Sequence, residues 1–204
     1  MKKPICFLVV LGILFVSTTF VANAISFEGD ASYLFGIGDS KSRGFAAHAM
    51  VEAIDQVFAD GSFLNTNSTA SEGSSMRNSL ISIGGLYRPV NDADLDVFVG
   101  AGFLRLTTQG TGLDDVSGRG IYGKFGFKFL PMPQLSIMAD VSYAPKYKDK
   151  DTEKVSGHLI SARATVSYEV MDGLAVQGTI KHYRASVAPK TSDILIGGGV
   201  TFRF

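Results

Sequence analysis

Several features that usually narrow the class of a protein are scarce in this sequence of 204 residues. It has no tryptophan, only six prolines and a single cysteine, Cys6. One cysteine cannot form an intramolecular disulfide, so we expect the chain to fold without one. Basic and acidic residues are equal in number, 19 of each, and no basic patch or stripe stands out. The sequence therefore does not indicate a nucleic-acid partner.

A long apolar run is also missing after the amino terminus. There, two lysines precede the apolar residues 5–16, and an A-x-A motif follows at residues 22–24. This order is typical of a secretory signal peptide, and the run is shorter than the ~20 apolar residues that a transmembrane helix needs. We expect residues 1–24 to be cleaved and residues 25–204 to form one exported domain. If that domain enters a membrane, it must do so as strands.

Most of the remaining sequence alternates between apolar and polar residues with a period of two. Ile121, Phe125 and Phe127, for example, alternate with Lys124 and Lys128. Successive side chains of a strand point to opposite faces, so this pattern predicts strands with one apolar face rather than helices. Nine such runs follow the predicted signal peptide.

The links between these runs alternate between short and long. Short links occupy residues 89–93, 130–134 and 170–173, and longer polar links occupy residues 65–78, 107–118, 145–156 and 185–192. Short turns at one end and long loops at the other are typical of outer-membrane barrels. We therefore predict an all-β, closed antiparallel up-and-down transmembrane β-barrel in the bacterial outer membrane, in preference to a secreted β-sandwich.

The number of strands depends on two segments near the start of the predicted domain. Residues 44–65 form either one long strand or, with a break at Asp55 and Gln56, two strands. The second arrangement gives the barrel ten strands in all. Residues 25–38 either belong to the wall or lie outside it, and the latter leaves eight strands. A single-chain bacterial barrel has an even number of strands. On size we predict eight strands, with ten as the alternative.

The carboxy-terminal run alternates up to the last residue. Closing a barrel requires the last strand to pair with the first, so that no edge stays unpaired in the membrane. Phe202 and Phe204 end this run and resemble the carboxy-terminal signature of outer-membrane barrels, which implies delivery to the barrel-assembly machinery. Aromatic rings near the run ends are expected to form interfacial girdles, and these are Tyr87, Phe129, Tyr143, Tyr168, Tyr183 and Phe204.

Charged residues of both signs occupy inward-facing positions of the predicted strands. The interior of a small barrel is filled by side chains, and buried charges must be paired. We therefore interpret these charges as neutralising one another, with a narrow channel as the alternative. The lumen-facing candidates are Asp96, Lys124, Lys128, Asp140, Arg163, Glu169, Lys181 and Arg203, and Glu28, Asp30 and Glu52 share their faces.

The sequence offers no convincing catalytic, metal-binding or cofactor-binding group. His158 and Ser161 are three residues apart on a strand, so they point to opposite faces and cannot form a nucleophile and base pair. Asp114 and Asp115 are adjacent acids in a predicted loop, and no Asp-x-His motif accompanies them. We predict no enzymatic activity and no cofactor, with a lipid-acting enzyme as the second alternative.

Three short motifs lie within residues 140–184. They are Tyr143-Ala144-Pro145 at the end of one strand, Ala162-Arg163-Ala164, and Lys181-His182-Tyr183-Arg184. This segment resembles the YfaZ-like family of small outer-membrane β-barrel proteins. The resemblance implies a small outer-membrane barrel, and it carries over no catalytic residue because the family has no established reaction.

Taken together, these patterns predict a structural or surface-interaction role through the extracellular loops. The expected partners are outer-membrane lipid and lipopolysaccharide. The mixed-sign charge run at residues 146–154 is the loop segment that we expect to meet this anionic surface.

Overall fold

Ten antiparallel strands form one closed barrel, in which consecutive strands pair and the last strand pairs with the first. The computed structural model describes residues 26–37, 41–69, 75–92, 94–110, 113–149, 156–186 and 191–204, so the predicted signal peptide lies outside it. Within these residues, no helix is long and apolar enough to cross a membrane. The strands are β1 (Phe27–Gly36), β2 (Arg43–Ile54), β3 (Val57–Thr69), β4 (Ser75–Asn91), β5 (Leu95–Gly110), β6 (Leu113–Met132), β7 (Leu135–Asp149), β8 (Ser156–Met171), β9 (Leu174–Ala185) and β10 (Thr191–Arg203).

The all-β closed barrel is confirmed, but the expected eight strands are wrong, since ten are present. β1 belongs to the wall and pairs with both β2 and β10. Residues 44–65 break at Asp55 and Gln56 into β2 and β3. Gln56 has a φ of 65°, in the left-handed region that glycine or asparagine usually occupies. The turn therefore lacks the usual Asn-Gly or Asp-Gly signal, and the apolar alternation runs through it unchanged.

Most residues that were expected to form long polar loops continue the barrel wall instead. β5 extends to Gly110 and β6 begins at Leu113, so the two strands cover most of residues 107–118. Strand length ranges from 10 residues in β1 to 20 in β6. In these extensions the outward-facing residues, such as Arg105 and Arg119, are charged, so the apolar alternation ends although the backbone pairing continues.

The two ends of the barrel differ in their connections. The turn end holds the short turns that include Asp55 and Gln56, and Asp172 and Gly173, together with the carboxy terminus. The loop end is the opposite one, where β5 ends and β6 begins. Each strand runs between these two ends, so the position of an inward-facing side chain is given as its height along the barrel axis.

The outer surface of the barrel is apolar, and its interior is filled. Phe103 and Ile121 are 65% and 63% exposed on the outside, whereas Leu34 and Leu195 are fully buried inside. Five rings expected in girdles lie on the outside, namely Tyr87, Phe129, Tyr143, Tyr168 and Phe204. Tyr183 is the exception to that expectation. It is buried in the lumen, because the odd-numbered residues of β9 face inward.

The seam between β1 and β10 is held by an unusually close approach. Phe27 and Phe204 exchange two backbone hydrogen bonds of 2.9 Å, and their rings stack with centroids 6.2 Å apart. Phe202 pairs with Gly29 one step further along the seam. A Cβ atom at Gly199 would lie 1.9 Å from the backbone oxygen of Ala31, so only glycine permits this spacing.

Candidate functional site

An ion-paired network crosses the interior of the barrel at mid-height. This central network consists of Asp30, His48, Asp60, Lys124, Asp140 and Arg163. The Asp60 side chain has no solvent exposure. The Lys124 ammonium lies 2.9 and 3.0 Å from its two oxygens, and His48 Nε2 lies 2.7 Å from Oδ1. A buried carboxylate is tolerated only when it is paired and hydrogen-bonded in this way.

Arg163 and His48 connect this pair to two further carboxylates. Arg163 donates from Nε to Asp140 at 2.8 Å and from Nη1 to Asp30 at 3.1 Å. His48 Nδ1 lies 3.2 Å from the same Asp30 oxygen, while its Nε2 faces Asp60. A neutral imidazole donates from one nitrogen only, so His48 bridges both aspartates as a donor only in its doubly protonated form. Cations and anions therefore alternate across the lumen.

Two contacts of the central network span the lumen, whereas the three others join neighbouring strands. Lys124 on β6 and Asp60 on β3 are three strands apart around the ring, as are Arg163 on β8 and Asp30 on β1. Beside the network is a cavity of about 30 Å³ that Lys181 also lines. It has room for about one water molecule. Among the described residues, no carboxylate lies within ion-pair distance of Lys181.

A second set of charges fills the lumen near the turn end. This turn-end cluster consists of Glu28, Arg88, Asp96, Lys128, Glu169 and Arg203. Lys128 Nζ lies 2.5 Å from Glu28 Oε2, and β6 and β1 are diametrically opposite in the ring of ten strands. Arg203 Nε lies 3.5 Å from the same Glu28 oxygen, and its Nη2 donates to Ser136 at 2.9 Å. The cluster thus joins opposite walls directly.

The other members of the turn-end cluster are held more loosely. Arg203 Nη1 lies 3.9 Å from Glu169, and Arg88 Nη1 lies 3.5 Å from Asp96. The Arg88 guanidinium also stacks 3.9 Å above the centre of the Phe58 ring. Such a cation–π contact adds attraction where the ion pair is long.

Apart from Asp193, the described side chains that fill the lumen towards the loop end are neutral. Asn78 Nδ2 donates to the Tyr183 hydroxyl at 3.1 Å, and Thr108 donates to the Asn78 oxygen at 2.8 Å. β4 and β9, which carry Asn78 and Tyr183, are diametrically opposite. Leu34 and Leu195 pack in the same cluster as Tyr183. The interior is therefore crossed at three heights by direct side-chain contacts.

The structure sorts the eight sequence-predicted lumen residues into two groups. Lys124, Asp140, Arg163 and Lys181 lie at mid-height, and Asp96, Lys128, Glu169 and Arg203 lie near the turn end. Sequence reasoning missed two residues at the centre of the network, His48 and Asp60. The parity that places Glu52 on the inward face of residues 44–65 also places both of these there, so the signal was present.

The arrangement of histidines offers little for catalysis. Ser161 lines the internal cavity, whereas His158 is exposed on the other face of β8. His158 Nδ1 instead lies 3.2 Å from the Ser186 hydroxyl, which also accepts the His158 backbone N–H at 2.7 Å. The side chains of Asp114 and Asp115 lie outside the described part of the chain. Within that part, no group of three or more potential ligands is placed to hold a metal ion.

Comparisons with known proteins define the class of fold. Neither a family model nor a curated protein matches the chain. The outer-membrane protease OmpT of Escherichia coli is similar in structure, with a TM-score of 0.58 and 8% identity over 89% of this chain and 98% of that one. OprG of Pseudomonas aeruginosa gives a TM-score of 0.46 and 10% identity over 89% and 96% of the two chains. Ail of Yersinia pestis gives a TM-score of 0.45 and 12% identity over 88% of this chain and 99% of that one.

The likeness to OmpT shows that this chain has the fold of a bacterial outer-membrane β-barrel. At 8% identity it shows the fold alone, so the proteolytic activity in the name of OmpT does not extend to this chain.

Proposed function

We propose that this protein is a resident of the outer membrane whose barrel is closed to solutes and whose role is structural or surface-interacting. The observation that carries this proposal is the filling of the lumen at three heights. Tyr183 meets Asn78 near the loop end, Lys124 meets Asp60 at mid-height, and Lys128 meets Glu28 near the turn end. A solute would have to separate at least two buried ion pairs to pass.

The proposal includes an orientation and a route. The turn end faces the periplasm and the loop end faces the outside, as in outer-membrane barrels generally. Residues 1–24 direct export, and the seam residues Phe202 and Phe204 direct delivery to the barrel-assembly machinery. Membership of the YfaZ-like family is part of the same proposal. Because β5 and β6 extend so far, the surface offered to partners is the protruding wall more than the connecting loops.

The two alternatives have less support from the interior. A narrow ion channel needs a lumen lined by charges of one sign, and here cations and anions alternate within hydrogen-bond distance. An enzyme acting on lipid needs its catalytic groups within reach of the substrate. The best arranged histidine, His48, lies between two aspartates inside the barrel, and its side chain is 3% exposed.

The proposal is tested by folding and conductance measurements on residues 25–204. The chain is refolded into lipid vesicles, and folding is scored as a mobility shift between boiled and unboiled samples on SDS gels. Folded protein is then inserted into a planar bilayer beside a general porin as positive control. We expect a mobility shift and no stepwise conductance. A regular conductance step from the folded wild type would overturn the closed barrel, and the absence of a mobility shift would overturn membrane residence.

A further inference from the structure

Four cations lie close together on the outer wall near the loop end. This outer basic cluster consists of Arg105 on β5, Arg119 on β6, and Lys146 and Lys148 on β7, all of them exposed. Arg105 stands directly opposite Arg119, which stands directly opposite Lys148. Like charges at directly opposed positions of a sheet destabilise it. Three in a row therefore favour the binding of an anionic group at this place.

The described part of the chain does not supply such an anionic group. None of its ion pairs involves a member of the outer basic cluster, and Arg105 Nε donates only to the neutral Ser117 hydroxyl, at 3.0 Å. Lys146 and Lys148 belong to the mixed-sign run at residues 146–154, whereas Arg105 and Arg119 lie far from it in the sequence. The fold assembles a basic patch where the sequence contains no basic run.

A β-bulge places two of the four cations on this face. Between Tyr143 and Tyr147, β7 has one residue more than the paired segment of β6, and its ladder with β8 shifts at the same place. The shift reverses the alternation, so that Tyr147 is buried while Lys146 and Lys148 are exposed. Bulges commonly re-aim side chains next to functional sites. Without it, Lys146 and Lys148 would face the lumen.

Apolar residues continue from the outer basic cluster towards the middle of the barrel. A groove of about 610 Å³ on the outer wall is lined by Arg119, Lys146 and Lys148 and by the apolar residues Ala101, Phe103, Ile121 and Pro145. Along β6 and β7 the cations lie nearer the loop end than their apolar neighbours. One groove thus offers positive charge at its outer end and an apolar floor at the depth of the lipid chains.

Among the residues whose side chains are described, the exposed charges at the two rims of the barrel differ in sign. Exposed basic residues at the loop end also include Lys41, Arg43, Arg77 and Arg184, whereas the exposed charged residues described at the turn end are Asp55, Asp92, Asp94 and Asp172. In the proposed orientation, the basic rim meets the outer leaflet. This polarity is complementary to a leaflet whose lipids are anionic.

We propose that the outer basic cluster and its groove form a binding site for one phosphorylated lipid of the outer leaflet, the lipid A anchor of lipopolysaccharide. Arg105, Arg119 and Lys148 bind its phosphate, because guanidinium and ammonium groups make charge-assisted hydrogen bonds to phosphate oxygens. An acyl chain lies in the groove over Phe103 and Ile121. The inference rests on the outer-membrane residence proposed above, and it names the lipid and the residues.

The test compares two triple variants with the same change in charge. R105Q/R119Q/K148Q removes the row of cations, and K41Q/R43Q/R184Q removes three basic residues from the same rim outside the groove. Folding of each is first verified by the mobility shift in zwitterionic detergent. Native mass spectrometry then measures binding of bisphosphorylated lipid A, dephosphorylated lipid A and inorganic phosphate to the wild type and both variants.

We expect the first variant to bind bisphosphorylated lipid A at least about tenfold more weakly than the wild type, and the second to stay within about twofold. The wild type is expected to bind dephosphorylated lipid A and inorganic phosphate at least about tenfold more weakly. Equal losses in the two triple variants would overturn the site and indicate diffuse attraction. Equal binding of inorganic phosphate would reduce it to a free-anion site.

A single substitution covers the case in which the triple variant does not fold. Arg119→Gln removes only the central cation, and we expect about threefold weaker binding of bisphosphorylated lipid A. Unchanged binding would contradict the proposal. Failure of the wild type itself to shift on gels would instead count against membrane residence, so the two proposals fail in distinguishable ways.

Discussion

The cations inside the barrel and the cations on its outer wall are treated in opposite ways. Lys124 and Arg163 each contact carboxylates at hydrogen-bond distance, whereas Arg119 and Lys148 stand next to other cations. Inside, the low dielectric makes an unpaired charge costly, and the fold supplies counter-ions to Lys124 and Arg163. Lys181, beside the small cavity, is the interior cation that no described carboxylate approaches within ion-pair distance. Outside, solvent or lipid head groups can supply the counter-ions. The fold thus neutralises most of its interior charges by itself and leaves the counter-ions of the outer-wall cations to the surroundings.

The largest expected effect comes from removing an interior counter-ion. Asp60→Asn takes away the carboxylate that Lys124 and His48 both contact. Because the buried Lys124 ammonium loses its counter-ion and His48 loses a hydrogen-bond partner, the free energy of unfolding should fall by about 3–5 kcal/mol. Urea unfolding in lipid vesicles measures this.

The matched control for that substitution is Asp94→Asn, at an exposed position of the turn end. It should change the free energy of unfolding by less than about 0.5 kcal/mol. Equal effects at Asp60 and Asp94 would mean that the interior pairs contribute no more than a surface charge.

A smaller loss of stability is expected when a methyl group is added at the inward-facing Gly199. The outward-facing Gly178 should tolerate the same addition. At Gly199, a Cβ atom would lie 1.9 Å from the Ala31 oxygen, while at Gly178 nothing lies within 4 Å. Gly199→Ala should therefore lose about 1–3 kcal/mol or fail to close the barrel. Gly178→Ala should retain the wild-type fraction of heat-modifiable protein, and a comparable loss in both variants would contradict the close seam.

Double-mutant cycles should give couplings of opposite sign inside and outside. Glu28→Gln with Lys128→Met should reveal an attraction of about 1 kcal/mol, because the two charges meet 2.5 Å apart across the lumen. Arg105→Gln with Arg119→Gln should reveal a repulsion of a few tenths of a kcal/mol. Both cycles are measured by urea unfolding in detergent without anionic lipid. Couplings of the same sign would show that the interior and outer-wall charges do not differ in the way described.

The smallest effect is the salt dependence of an outer-wall substitution. Lys148→Gln should raise the free energy of unfolding by up to about 0.5 kcal/mol at low ionic strength, since it relieves repulsion with Arg119. At about 1 M salt the screening length is only ~3 Å, so the gain should disappear. A gain that persists at high salt would point to a cause other than charge.

The faces of the strands were predictable from sequence, and the count of strands was not. Alternation such as that of Phe125, Phe127 and Lys128 is imposed by the pleat, so it identifies an antiparallel wall directly. The Asp172-Gly173 turn was predictable because Asp-Gly is a common turn sequence, and its glycine adopts a φ of 73°. Gln56 makes the same kind of turn with a positive φ, and nothing in its identity indicates that.

The candidate sites were also predictable only in part. The alternation of faces along a strand predicts which charged residues point inward. It does not predict which cation Asp60 on β3 pairs with, because cations from several strands meet only when the ring closes. The outer basic cluster depends on two further facts. The polar segments remain strands, and a bulge near Pro145 reverses the faces of β7. Neither shows as an apolar period in the sequence, because the outward-facing residues of these segments are polar or charged and the bulge breaks the period of two.

One comparison tests most directly the claim that the barrel neutralises its interior charges and leaves its outer-wall cations for lipid. The free energies of unfolding of Lys124→Gln and Arg119→Gln are measured against the wild type in detergent without anionic lipid. We predict a loss of about 3–5 kcal/mol for Lys124→Gln, which leaves Asp60 without its ammonium partner, and no loss for Arg119→Gln. Similar losses in the two variants would contradict the claim.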